Sequence, residues 1–264
     1  MIDLAHPGLP GIGAGALFGS LLGSFLNVCI LRWGAEPKQS IMSPSRSHCP
    51  RCGKALAWYE NVPVLSWMLL RARCRGCGEP ISVMYPLIEL ATAALWGYMV
   101  WRHGLTLEAL RGAVFGTILL GIAMTDARQY IIPDEFTWGG LVIGLLFSLT
   151  GGLPGLGAAL LGAAVGFGLL WLVGSVGTWI FKEDAMGGGD IKMMAMVGAF
   201  LGWQGVLLTI FLGALVGTLV FVPLLLMGQK KLVPFGVFLS IGAAVAYEFG
   251  PAVIGWYGRY LAGA

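Results

Sequence analysis

The sequence predicts an all-α integral membrane protein of about eight transmembrane helices, with a small cytoplasmic loop domain between the first and the second. Three observations carry this. The 264 residues are 57% hydrophobic and 11% charged, with mean hydropathy +0.82, whereas a soluble domain carries about 25% charged residues. Apolar runs recur at lengths close to the ~20 residues that a bilayer crossing needs. One stretch, 32–84, breaks the pattern: it is polar, basic and holds four of the five cysteines. The chain therefore divides into a first helix (1–31), the loop domain (32–84) and a polytopic membrane domain of about seven helices (85–264). Glycine, at 42 copies, exceeds the usual share of about 7% and suits close packing of membrane helices.

The first span covers about Leu9–Leu31 and carries Ser24, Asn27 and Cys29 on its last turns. Asn27 reads either as a helix–helix hydrogen bond or as a substrate contact. Eight of the 16 Lys and Arg then fall between Arg32 and Pro80. Positive loops mark the cytoplasmic side. Topology accounts for this charge, so nucleic-acid binding is not expected; anionic membrane lipid is the other partner the patch suits. The second span, about Tyr85–Trp101, contains Glu89, which reads either as the partner of an arginine or as part of a polar site. The third, about Leu107–Thr125, ends at Asp126. The fourth covers about Phe136–Leu149, the fifth Leu156–Phe181, the sixth Asp190–Leu201, the seventh Gly205–Met227 and the eighth Pro234–Val253. With the basic loop inside, the connectors holding Arg128, Lys182 and Lys230-Lys231 also lie inside, as the charge bias requires. Arg102 and Arg111, on an outside stretch, are the exception.

Within the basic loop lie Cys49-Pro-Arg-Cys52-Gly and Cys74-Arg-Gly-Cys77-Gly. Two thiolates on one tight turn can point at one metal, and two such turns complete a tetrahedral four-thiolate site. A disulfide is the competing reading, but a cytoplasmic loop is reducing. The expectation is a structural zinc on Cys49, Cys52, Cys74 and Cys77. With four protein ligands it is closed to chemistry.

The acids carry the chemical reading. Asp190 follows the triplet Gly187-Gly188-Gly189 and opens an apolar run, where a carboxylate is a functional-site candidate by default. The glycines remove side chains, so a substrate backbone can lie against the site. Asp126 ends a span running inward and Asp190 begins one running outward, so both reach the cytoplasmic face. Two close carboxylates share a proton: the ionised one deprotonates a water and the protonated one polarises a carbonyl. The alternative for Asp190 is a favourable charge at a helix N-terminus. Asp134, after Ile131-Ile-Pro133, rivals Asp126 and is also explained as a helix cap; Lys192 stands two residues beyond Asp190. Intramembrane carboxylates also serve ion-coupled transport, which is the alternative function.

Taken together, these segments resemble the type IV prepilin peptidases. The resemblance rests on Gly23-Ser-Phe-Leu-Asn-Val28, Ser45-Arg-Ser-His-Cys-Pro50, Asn61-Val-Pro-Val-Leu-Ser-Trp67, Tyr85-Pro-Leu-Ile-Glu89, Ile132-Pro-Asp134, Gly187-Gly-Gly-Asp190-Ile-Lys192 and Pro234-Phe-Gly236. Val237 stands where the family more often has proline. The resemblance implies catalytic aspartates at Asp126 and Asp190. It implies cleavage of the basic leader of prepilins and pseudopilins after a glycine, at the cytoplasmic face of a bacterial inner membrane. It also implies N-methylation of the new terminus with S-adenosylmethionine. No glycine-rich nucleotide fingerprint follows a predicted strand, so nothing in the residues places that methyl donor.

Overall fold

The computed structural model describes residues 8–42, 44, 46–228 and 234–261. Ser45 and the Lys230-Lys231 pair of the sequence reading lie outside them. Among these described residues eight α-helices follow in order: α1 Gly8–Trp33, α2 Leu65–Leu69, α3 Met84–His103, α4 Leu107–Gln129, α5 Asp134–Ser148, α6 Gly152–Phe181, α7 Gly188–Leu226 and α8 Phe235–Leu261. Among the described residues, five stretches are long and apolar enough to cross a membrane: Gly8–Trp33, Leu107–Gln129, Asp134–Phe181, Gly188–Leu226 and Phe235–Tyr260. That is fewer than the eight read from the sequence. The short α5 is run together with α6, and the long α7 counts once. α3, with Glu89, Arg102 and His103 in its 20 residues, is not among the five.

The chain forms two compact units, residues 1–117 and 118–264, with the division inside α4. In the first, α1 and α3 pack antiparallel along a strip of small residues. Gly15 meets Val100 and Trp96, Gly19 meets Thr92 and Trp96, and Gly23 meets Thr92 and Glu89. A side chain at Gly19 would stand 2.6 Å from the Thr92 carbonyl oxygen, so the glycine spacing of four sets the helix separation. After α1 the chain is folded back by Arg32, which is buried and donates to the Ser40 and Ile41 carbonyls at 3.1 and 2.7 Å.

In the second unit α7 is packed by α5, α6 and α8. Met193, Met194, Met196 and Val197 are fully buried along its first half. Gly162 of α6 faces Gly198 of α7, backbone against backbone. α7 is not one rod. Gly202 has φ 70° and ψ 177°, open to glycine and closed to most residues. Gly166 then lies against both Met194 and Val206. Twelve residues of straight helix would separate those two by about 18 Å. The chain therefore doubles back at Gly202, between the ends the sequence assigns to its sixth and seventh spans. The exposed faces of the long helices in both units are apolar, including Leu17, Phe18, Trp171, Trp179 and Phe211, as a lipid-facing surface requires.

Candidate active site and metal centre

The two cysteine motifs fold into the same turn twice. In the first, Cys49 N–H donates to Lys54, Gly53 N–H to Cys49 and Leu56 N–H to Ser47, at 2.9, 2.9 and 2.8 Å. In the second, shifted by 25 residues, Cys74 N–H donates to Glu79, Gly78 N–H to Cys74 and Ile81 N–H to Ala72, at 2.8, 2.8 and 2.7 Å. Gly53 and Gly78 close the turns at φ 69° and 72°, a region that glycine enters at no steric cost. The four Sγ atoms lie within 4.8 Å of one another, with Cys49 and Cys77 at 3.9 Å. Tetrahedral zinc with Zn–S near 2.3 Å separates its sulfurs by about 3.8 Å, so donor type, number and spacing all fit. The Cys49 thiol is brought down to about 7, first by the Cys52 N–H and then by that of Arg51. Hydrogen bonds that favour the anion favour the metal-binding form. No disulfide joins the described cysteines.

The acid site belongs to the second unit. Asp126 sits on the last turn of α4 and is 5% exposed. Its Oδ2 accepts the Val237 N–H at 3.1 Å from the first turn of α8. Gly236 permits that approach: a Cβ there would lie 2.8 Å from Asp126 Oδ2 and 2.7 Å from Ile132 Cδ1. Ile132 also packs against Gly189, whose Cβ would lie 2.8 Å from that of Ile132. Asp190 follows directly, in the first turn of α7. Its Oδ1 is buried and takes no hydrogen bond from the described protein. Lys192 donates to Asp134 Oδ1 at 2.7 Å, tying the start of α7 to the start of α5. The end of α4 and the starts of α5, α7 and α8 thus converge on two carboxylates.

Of the glycine triplet, Gly187 lies against Asp190 Oδ2, Gly189 against Ile132, and Gly188 borders open space. Asp134, the rival to Asp126, is half exposed and taken up by Lys192. Sequence reasoning singled out Pro234-Phe-Gly236 only through the resemblance and gave no role to Ile132. No spacing rule links Ile132 to Gly189 and Gly236, because the three meet only after α4, α7 and α8 are packed.

Asn27 and Glu89 have their partners in the first unit. Asn27 Nδ2 donates to the Tyr85 carbonyl at 3.2 Å, and Glu89 Oε2 accepts the Val64 N–H at 2.8 Å. Both border a cavity of about 490 Å³ that also reaches Trp67, Tyr85 and the cysteine turns.

Residues 17–103 match the family described as "Bacterial Peptidase A24 N-terminal domain", and residues 113–222 match the "Type IV leader peptidase family". The chain is 36% identical over 288 residues to the "Prepilin leader peptidase/N-methyltransferase" of Aeromonas hydrophila, covering 97% of each. The chain belongs to the type IV leader peptidase family. Relatives of the same name in Myxococcus xanthus (43% identity over 84% of this chain and 68% of the relative) and Pseudomonas aeruginosa (35% identity over 91% of each) agree. No solved structure matches the chain. Within this family member the boundary between the two matched segments, 103 to 113, falls close to the division between the two compact units. Nothing in these comparisons supports the ion-coupled transporter considered as the alternative.

Proposed function

We propose that this chain is an aspartic endopeptidase that removes the leader of type IV prepilins and pseudopilins after a glycine, and then N-methylates the exposed residue. It works at the cytoplasmic face of a bacterial inner membrane, through about eight membrane passes. The observation that carries this is that Ile132 lies against both Gly236, which borders Asp126, and Gly189, which precedes Asp190, so that two acids from separate helices meet beside an open glycine backbone. Carboxylates within reach of each other work with one shared proton: one side takes a proton from water while the other donates to the scissile carbonyl. They titrate as a pair, so the two roles belong to the dyad and not to either residue. The Val237 N–H fixes the orientation of Asp126, and the Lys192–Asp134 bridge holds the α5 and α7 starts in place. The leader meets the site backbone-first along Gly187–Gly189.

Zinc on Cys49, Cys52, Cys74 and Cys77 holds the two turns together and does no chemistry. The methyl donor, S-adenosylmethionine, fits the cavity of the first unit. Its volume lies within the roughly 300–1,000 Å³ of small-molecule sites, and its lining mixes Trp67 and Tyr85 with Asn27, Arg75 and Glu89. Bound there, the donor supplies an electrophilic methyl group on a cationic sulfur. The chain's own residues stack its aromatic part and receive its polar groups.

Purified protein incubated with prepilin, with and without S-adenosylmethionine, and followed by mass, tests the proposal. Asp126→Asn and Asp190→Asn should each lower cleavage by about a thousandfold or more, with the protein still in the membrane fraction. Normal processing by either variant refutes the dyad.

A further inference from the structure

Three carboxylates border the cavity of the first unit: Glu60, Glu79 and Glu89. Glu60 is neutralised by Lys54 at 2.9 Å and Glu79 by Arg51 at 3.0 Å. Glu89 is different. It is 7% exposed, and its partners are the Val64 N–H and the Ser24 hydroxyl, both neutral. Among the described residues it has no cationic partner. The cations that line the same cavity are committed elsewhere: Arg32 to the Ser40 and Ile41 carbonyls, and Arg75 to the Tyr59 hydroxyl at 3.0 Å. His48, the remaining titratable side chain of the lining outside the cysteines and Tyr85, pairs through its backbone with Ala55. A buried carboxylate with no counter-charge is costly, and a cationic guest in this cavity would supply the missing charge.

Two cations enter the methylation proposed above: the sulfonium of the donor and the terminal ammonium of the cleaved pilin. The chemistry separates them. Sulfur loses its charge as the methyl leaves, so a carboxylate beside it would hold the ground state more than the transition state. The pilin nitrogen must lose a proton before it can attack, so a carboxylate beside it supplies the base that the step needs, whereas the sulfonium has no proton to give. We propose that Glu89 binds the α-ammonium of the processed pilin and accepts its proton before methyl transfer, an inference that rests on the methylation reading. The ammonium gives one proton to Glu89. The freed lone pair forms the N–C bond while the C–S pair stays with sulfur, which leaves neutral. The product is a secondary ammonium, and Glu89 passes its proton to solvent.

The test uses full-length protein and a mature-pilin peptide with a free amino terminus. Glu89→Gln, with zinc content measured to show that the unit is folded, should lower methylation about a hundredfold at pH 7, the scale of a lost general base. The loss should shrink as pH rises past the amine's own value of about 8, with Glu89→Asp intermediate. Without any methyl donor, wild type should bind the free-amine peptide at least about tenfold more tightly than its N-acetylated form. Glu89→Gln should erase that preference. Equal methylation and an unchanged pH profile in Glu89→Gln overturn the proposal. So does a variant that keeps the amine preference but loses discrimination between S-adenosylmethionine and uncharged S-adenosylhomocysteine, which assigns Glu89 to the sulfonium. Should Glu89→Gln lose its zinc, equal binding of the two peptides by wild type still overturns it. A wild type that methylates nothing fails the underlying reading instead, and the inference with it.

Discussion

Glu60 shows how a single side chain holds the cysteine loop. It is buried, receives the Ala57 N–H at 2.9 Å and the Lys54 ammonium at 2.9 Å, and so ties the first cysteine turn to the segment that leads into α2. The Ala57 N–H and then Lys54 hold its carboxyl below the ordinary 4.5, while Glu60 holds Lys54 above 10.5. A depressed carboxyl contributes stability above its unfolded value and loses it as pH falls through the folded one. Lys54 works in the opposite sense: its share is present at neutral pH and lost as pH rises beyond 10.5. Thermal unfolding of wild type should therefore exceed that of Glu60→Gln at pH 7, and the gap should close as pH falls below 4.5. A gap independent of pH would mean that Glu60 acts by packing alone. At this scale the cysteine cluster was readable, since four cysteines in paired short spacings have few other uses. The role of Ile132 was not, because a wedge between Gly189 and Gly236 exists only once three helices meet.

Helix against helix, the molecule is held by glycine. Gly162 and Gly198 place the α6 and α7 backbones in direct contact, and Gly166 takes the Met194 carbonyl at the next turn. Lipid tails give helices no hydrophobic reason to associate, so close backbone approach carries the packing. Gly198→Ala puts a methyl group onto the Gly162 carbonyl and should cost about 1–3 kcal/mol, the usual range for overpacking. Thermal unfolding in detergent measures it, and an unchanged midpoint would show that the two helices can part without penalty. Most helices were visible from the sequence because runs such as Leu156–Phe181 are uniformly apolar. The reversal at Gly202 was visible as the gap between Leu201 and Gly205, although no residue there is polar enough to end a span by itself. What the sequence could not carry is how many of these rods count as crossings. α5 is too short to count alone, and α3 mixes charge with its apolar face.

At the scale of the whole chain, two sites occupy two compact units. Every residue described at the acid site lies in 118–264, while the cysteine cluster and the cavity lie in 1–117. Metal binding to four thiolates is folding energy for the part that carries them. Chelation, or Cys74→Ser, should therefore remove about one zinc per chain and abolish methyl transfer, while cleavage declines much less. Mass analysis of the products separates the two: unmethylated but trimmed pilin is the expected result, and untrimmed pilin would show that cleavage depends on the cysteine cluster.

The doubling back at Gly202 also fixes the height of the rod that presents Asp190. From Gly188 to Leu201 it has fourteen residues, about 21 Å at 1.5 Å each, and α5 beside it, at 15 residues, is scarcely taller. A hydrocarbon layer is roughly 30 Å deep. Both rods begin beside the acids and are shorter than that layer, a mismatch that local thinning of the bilayer would relieve. Thinning there would bring the aqueous boundary toward the carboxylates, so that a stretched peptide anchored by a greasy stem could be hydrolysed without being dragged into oil.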